Sequence, residues 1–140
     1  MLEIGAGSGY AAAVMGRIAK EVIAIERHAD LAGLADARMK ELGYSNVSIR
    51  KGDGTGGAPD LAPFDAIVAS ASGSHLPEIL LEQLDIGGRL VMPLGEPRDL
   101  QKLVKLRRIG PNDYERQDLG QVRFVPLIGA HGWKEGRGGE

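Results

Sequence analysis

The chain has 140 residues, 43% of them hydrophobic and 26% charged, which fits one soluble globular domain able to bury its own core. Its 17 basic and 19 acidic residues leave a formal charge of −2, and no basic run is dense enough for nucleic acid or an anionic membrane. The lack of cysteine excludes a disulfide framework, a thiolate nucleophile and a soft metal site; with no signal peptide or long apolar span, the expected compartment is the cytoplasm.

The opening "LEIG" is a short apolar run that predicts a strand, and "GYAAAVMGRIAK" after it has the alanine and apolar spacing of a helix. "EVIAIE", rich in β-branched residues, completes a strand, helix, strand unit. In "HADLAGLADARMKELG", Leu31, Leu34, Ala35, Met39 and Leu42 recur at three and four residues as the stripe of an amphipathic helix, and Gly43 is placed to end it. "NVSIRKGDG" predicts a third strand, "FDAIVASAS" a fourth, "LPEILLEQL" a helix and "GGRLVMPLG" a fifth strand. This alternation implies an α/β fold, doubly wound, with a mostly parallel sheet and helices on both faces. Over the last third, "LQKLVKLRRI" and "QVRFVPL" alternate like antiparallel strands around the turn-rich "GPND". The basic "KLVKLRRIG" reads as the solvated face of a strand, and the closing "KEGRGGE" as a loose end.

Glycine is the compositional outlier: 21 of 140 residues, or 15%, about twice the average of roughly 7%. Three of these glycines follow the first strand in Gly5-Ala6-Gly7-Ser8-Gly9, a turn tight enough for backbone N–H groups to approach a ligand. The dinucleotide fingerprint needs glycine where Tyr10 stands, and no Walker lysine follows, so both pyrophosphate readings weaken. Glu26 closes the second strand, 21 residues after Gly5, where an acidic side chain accepts from ribose hydroxyls. Asp53 ends the third, in "KGDG", placed to accept from an amine on an adenine edge. Taken singly, the glycines also fit a plain turn, Glu26 a solvated strand end and Asp53 a turn brace. Together, at three successive strand ends, they describe an adenosine pocket without a phosphate clamp.

"LEIGAGSGY", "IAIERH", "GDGTGG", "APFDAI", "GGRLVMPLG" and "VRFVPLIG…GW", in that order and spacing, resemble the protein-L-isoaspartate O-methyltransferases, a branch of the S-adenosyl-L-methionine-dependent methyltransferases. The resemblance spans nearly the whole chain. "GDGTGG" with "APFDAI" and "FVPLIG" are its specific parts, since the first motif is common to many methyltransferases. It implies a Rossmann-like class I methyltransferase domain over residues 1–133, with residues 134–140 a flexible tail. It also implies that Ile4, Gly5, Gly7 and Gly9 line the methionine part of the cofactor. Glu26 and Arg27 would hold the ribose and adenine side, with Asp53 and Gly54 on the adenine. The implied activity is methylation of the carboxylate of L-isoaspartyl residues in damaged proteins, a repair reaction.

The family also carries a block before the first motif, holding the serine regarded as its active-site residue, and no counterpart is found here. The expectation is an N-terminally truncated chain, through a shortened gene or a misread start, with no assigned catalytic residue. Low turnover and self-association through the uncovered surface go with it. A non-catalytic module that binds S-adenosylmethionine or a partner, or a methyltransferase acting on another substrate, is the alternative.

Other chemistry is weakly signalled. His28, His75 and His131 are scattered with no second ligand at metal spacing and read as surface or packing residues. Ser70 and Ser72 follow the fourth strand with no paired base, and read as pocket lining at the methyl-transfer mouth. Asp65 reads as structural, and Trp133 as a packing anchor near the C-terminal substrate lip.

Overall fold

A computed structural model describes residues 1–136. In chain order the elements are β1 (Leu2–Ile4), α1 (Tyr10–Gly16), β2 (Val22–Glu26), α2 (Ala29–Glu41), β3 (Val47–Lys51), β4 (Phe64–Ala69), α3 (Glu78–Leu81), β5 (Leu84–Leu94), β6 (Gln101–Arg108) and β7 (Tyr114–Val122). Two single 3-10 turns, Gly54–Gly56 and Pro59–Leu61, lie between β3 and β4. The seven strands form one sheet in the order β3-β2-β1-β4-β5-β6-β7. Pairing is parallel from β3 to β5 and antiparallel across β5-β6-β7. The strand order reverses between β1 and β4, so a crevice opens at their carboxyl ends, the position where ligands bind in open α/β sheets. The doubly wound α/β expectation, with antiparallel strands near the C-terminus, holds.

β2 is buried at all five positions, as a parallel strand covered on both faces requires. On one face Leu2, Ile4, Ile23, Ile25, Ile67, Leu90 and Met92 form the main core, with Leu80 of α3 and Leu84 at the start of β5. On the other, Ala12, Val22, Ala24, Met39 and Val47 pack beneath α1 and α2.

Four elements differ from the sequence expectation, each for a physical reason. In α2 the inward face is Ala32, Ala35 and Met39, while Leu31, Leu34 and Leu42 are exposed. The glycine turn sits so close to this helix that a Cβ on Gly9 would lie 3.1 Å from the Met39 side chain and 3.2 Å from the Ala35 Cβ, so position 35 takes a small residue and a leucine there would clash. α1 stops at Gly16 because the Asn46 side chain donates to the Gly16 carbonyl (2.7 Å) and the Ala19 carbonyl (3.2 Å). α3 is a single turn; after it, the buried Gln83 side chain donates to Gly56 and Ile79 carbonyls and accepts from the Ala58 N–H. The last strand is Tyr114–Val122, and "RFVPL" has left the sheet. β7 is an edge strand wet along most of its length, so it carries no apolar alternation to betray it. Of the expected tail, residues 137–140 lie outside the described residues, and Glu135 pairs with Arg27 at 3.3 Å.

Candidate functional site

The crevice begins with the glycine turn after β1. Gly5, Gly7 and Gly9 take φ of +89°, +55° and +87°, a region closed to most side chains, which is why the turn is built of glycine. Its start is tied to β2: the Gly5 and Ala6 N–H groups donate to the Ile25 carbonyl at 2.9 and 3.1 Å. The Gly7 N–H donates to Glu26 Oε2 at 2.8 Å, and the His28 N–H to Glu26 Oε1 at 3.2 Å. Glu26 is itself buried. A carboxylate offers about four acceptor directions, so two remain for a ligand after these bonds.

Around this carboxylate lies a cavity of about 320 Å³. Ile4, Gly5, Gly7, Ile25, Glu26 and Gly54 form its inner walls, Arg27, His28 and Leu31 one rim, and Ser70, Ala71 and Val125–Ile128 the other. A Cβ on Gly54 would lie 2.7 Å from the Ile4 side chain, so this corner accepts only glycine. A larger hollow of about 620 Å³ is found at the amino ends of the strands, against Met15, Ile18 and Phe64, remote from the glycine turn.

Of the eight residues expected at the site, the fold brings Ile4, Gly5, Gly7, Glu26, Arg27 and Gly54 together around this cavity. Gly9 sits behind it, against Ala35 and Met39. Asp53 faces an adjoining hollow shared with Arg27, Gly129 and Trp133. Its Oδ1 accepts from the Thr55 N–H (2.9 Å) and hydroxyl (2.6 Å), and its Oδ2 from the Ala130 N–H (2.8 Å). Burial pushes this carboxyl up, but the hydrogen bonds, Ala130 first, together hold it below the ordinary carboxylate value.

Ser70 lines the cavity, but Ser72 does not: it is fully buried and serves as a main-chain anchor. The Ser72 N–H donates to the Val125 carbonyl at 2.7 Å, and its carbonyl accepts from the Leu127 N–H at 2.8 Å and the Trp133 indole at 3.0 Å. The outer wall, Val125–Ile128, was hidden in the sequence because an apolar run containing proline reads as the end of a strand. Among the described residues no group of three His, Asp or Glu is placed to hold a metal, and no helix is long and apolar enough to cross a membrane.

The model of the protein-L-isoaspartate(D-aspartate) O-methyltransferase family matches residues 1–132. The chain belongs to this family. A protein-L-isoaspartate O-methyltransferase of Rhodopseudomonas palustris is 56% identical over 135 residues, 96% of this chain and 62% of the relative. The chain thus spans about three-fifths of the length of the curated relatives it matches. Among solved structures, a protein-L-isoaspartate O-methyltransferase superposes with a TM-score of 0.85 at 30% identity, covering 94% of this chain and 42% of that one. The Plasmodium falciparum structure described as a putative methyltransferase of this family in complex with S-adenosyl-L-homocysteine gives a TM-score of 0.75 at 29% identity, covering 91% and 64%.

Proposed function

We propose that the crevice holds S-adenosyl-L-methionine and that the protein is a protein-L-isoaspartate O-methyltransferase, esterifying the carboxylate of L-isoaspartyl residues in damaged proteins. The observation that carries this reading is the buried Glu26 carboxylate, braced by two N–H groups beside an unobstructed glycine turn. About 320 Å³ falls within the roughly 300–1,000 Å³ of small-ligand sites. The lining suits a neutral nucleoside with an amino-acid arm, because it offers a diol acceptor and apolar walls and no lysine for a pyrophosphate. Glu26 and Arg27 would hold the ribose side, Gly54 and Asp53 the adenine, and Ile4, Gly5 and Gly7 the methionine arm, with Gly9 shaping the turn behind them.

The cofactor supplies an electrophilic methyl group on a sulfonium. The acceptor carboxylate, with a reference pKa near roughly 3.5, is ionised at neutral pH, so no side chain need remove a proton. The protein's task is orientation, which contributes up to roughly 7–11 kcal/mol when reacting atoms are well aligned. Ser70 and the Val125–Ile128 wall share the lining of the cavity with Glu26, and we assign them to shielding the acceptor from water. A cytoplasmic setting and isoaspartyl-containing proteins as partners go with this reading.

Labelled methyl transfer tests it. An isoaspartyl peptide should acquire a base-labile label from S-adenosylmethionine, and the matching aspartyl peptide should not. Binding of S-adenosylhomocysteine with no transfer to any isoaspartyl peptide supports a cofactor-binding module instead. Selectivity gives a second expectation: Tyr10 occupies the dinucleotide fingerprint's glycine position and no Lys-Ser/Thr follows the loop, so NAD and ATP should bind at least about a hundredfold more weakly than S-adenosylmethionine. Tight NAD binding in competition overturns the assignment.

A further inference from the structure

The outer wall of the cavity is held by Leu127 in the core and by a short set of hydrogen bonds. β7 leaves its ladder at Val122, paired with Gln101 of β6, and the chain then crosses the carboxyl ends of the strands as a strap that includes Phe124–Ile128. Leu127 anchors the far end of this strap in the main core at 5% exposure, whereas Phe124 and Val125 remain 39% and 69% exposed, so little apolar burial fixes the near end and polar bonds decide where it lies. At Val125 and Leu127 those bonds come from the main chain of Ser72, which any residue there could supply.

At Phe124 they come from a side chain. Gln101 is 1% exposed, and its Oε1 accepts from the Phe124 N–H at 2.7 Å while its Nε2 donates to the Phe124 carbonyl at 3.1 Å. This two-way exchange copies a hydrogen-bonded antiparallel pair one step beyond the end of the ladder. A buried amide is costly unless both ends are satisfied, and ordering a glutamine side chain costs entropy. A leucine would fill most of the volume with no amide to satisfy and a smaller loss of rotamer entropy. Nε2 also reaches the Glu96 carbonyl at a long 3.5 Å, so most of the amide's hydrogen-bonding capacity goes to Phe124.

We propose that Gln101 is a positioning residue: by locking Phe124 it fixes the Val125–Ile128 wall and so sets how tightly the crevice retains its ligand. The inference rests on the cofactor reading above, and S-adenosylhomocysteine is its probe. Gln101→Met keeps volume and loses both bonds. Gln101→Glu keeps the shape and the acceptor but, when ionised, has no donor for the Phe124 carbonyl; protonation restores one.

Gln101→Met, folded by circular dichroism, should bind S-adenosylhomocysteine about tenfold more weakly, and the emission of Trp133, the sole tryptophan, should shift because its indole is tied to Ser72 beside the strap. Gln101→Glu should match wild type while its carboxyl is protonated and lose affinity and shift emission as rising pH ionises it, and since burial beside the Glu96 and Phe124 carbonyls pushes that carboxyl up, the difference from wild type is followed from pH 5 to pH 9. A residue that only stabilises the β5–β6 hairpin would lower the melting temperature without this pH dependence.

In the wild type the Phe124 amide should exchange slowly, and more slowly still with S-adenosylhomocysteine bound. That measurement decides the matter if neither variant folds. Wild-type affinity and emission in folded Gln101→Met, or a Phe124 amide that exchanges freely or is indifferent to ligand, overturns the proposal. Failure of the wild type to bind S-adenosylhomocysteine strikes the cofactor reading itself, while Phe124 protection in the free protein still reports on the lock.

Discussion

Replacing Glu26 with alanine should weaken S-adenosylhomocysteine binding by roughly 2–3 kcal/mol, about 30- to 150-fold. Two losses combine in this figure. The ligand's diol loses its charged acceptor, and Gly7 and His28 lose the carboxylate that receives their N–H groups, so the glycine turn is no longer held for the ligand. Glu26→Gln should fall between wild type and Glu26→Ala, because one oxygen remains to accept while the charge is gone. Calorimetric titration of variants with wild-type circular dichroism checks this, and unchanged affinity in folded Glu26→Ala removes the residue from the site.

The second large effect is on stability. Glu3, at the centre of the sheet, is fully buried with neither carboxylate oxygen hydrogen-bonded. Its register partner in β2 is Ala24, which puts it on the same face as Glu26. Burial, and then the charge of Glu26, push the Glu3 carboxyl from 4.5 up to about 7. A carboxyl whose pKa is raised on folding holds its proton more tightly in the native state. Its contribution to stability is therefore complete below pH 4.5 and is lost as the pH rises through about 7. The full loss is on the order of 3 kcal/mol. Glu3→Gln, which cannot ionise, should match the wild type near pH 4.5 and be the more stable protein at pH 8. The Asp53 carboxyl, held low by its hydrogen bonds, acts in the opposite sense and below that window, so it does not mask the difference. Urea unfolding at the two pH values reads the effect; parallel pH profiles for wild type and Glu3→Gln would contradict it.

The glycine turn, Glu26 and the alternation of strands with helices were legible in the sequence because each is a local signal. A tight turn demands glycine at fixed offsets, and buried parallel strands demand unbroken apolar runs such as "VIAIE". Signals of another kind misled. In α2 the leucines are periodic yet wet, since the inward face is Ala32, Ala35 and Met39, with alanine where Gly9 approaches the helix backbone. β7 has the polar make-up of an exposed edge, whereas "FVPL" is apolar because part of it lines a crevice. Gln101 and Ser72 look unremarkable in sequence. Their roles depend on partners 23 and 53 residues away, Phe124 and Val125, and no local pattern records such a pairing. The same holds for Asp53, whose contact with Ala130 joins positions 77 residues apart.

Titration calorimetry of the chain with S-adenosylhomocysteine at neutral pH, with NAD as the comparison ligand, decides whether the crevice is a cofactor site. One S-adenosylhomocysteine should bind saturably per chain, lost or greatly weakened in Glu26→Ala, with NAD at least about a hundredfold weaker. A folded chain that shows no saturable heat with S-adenosylhomocysteine, or that binds NAD as well, would contradict the cofactor assignment.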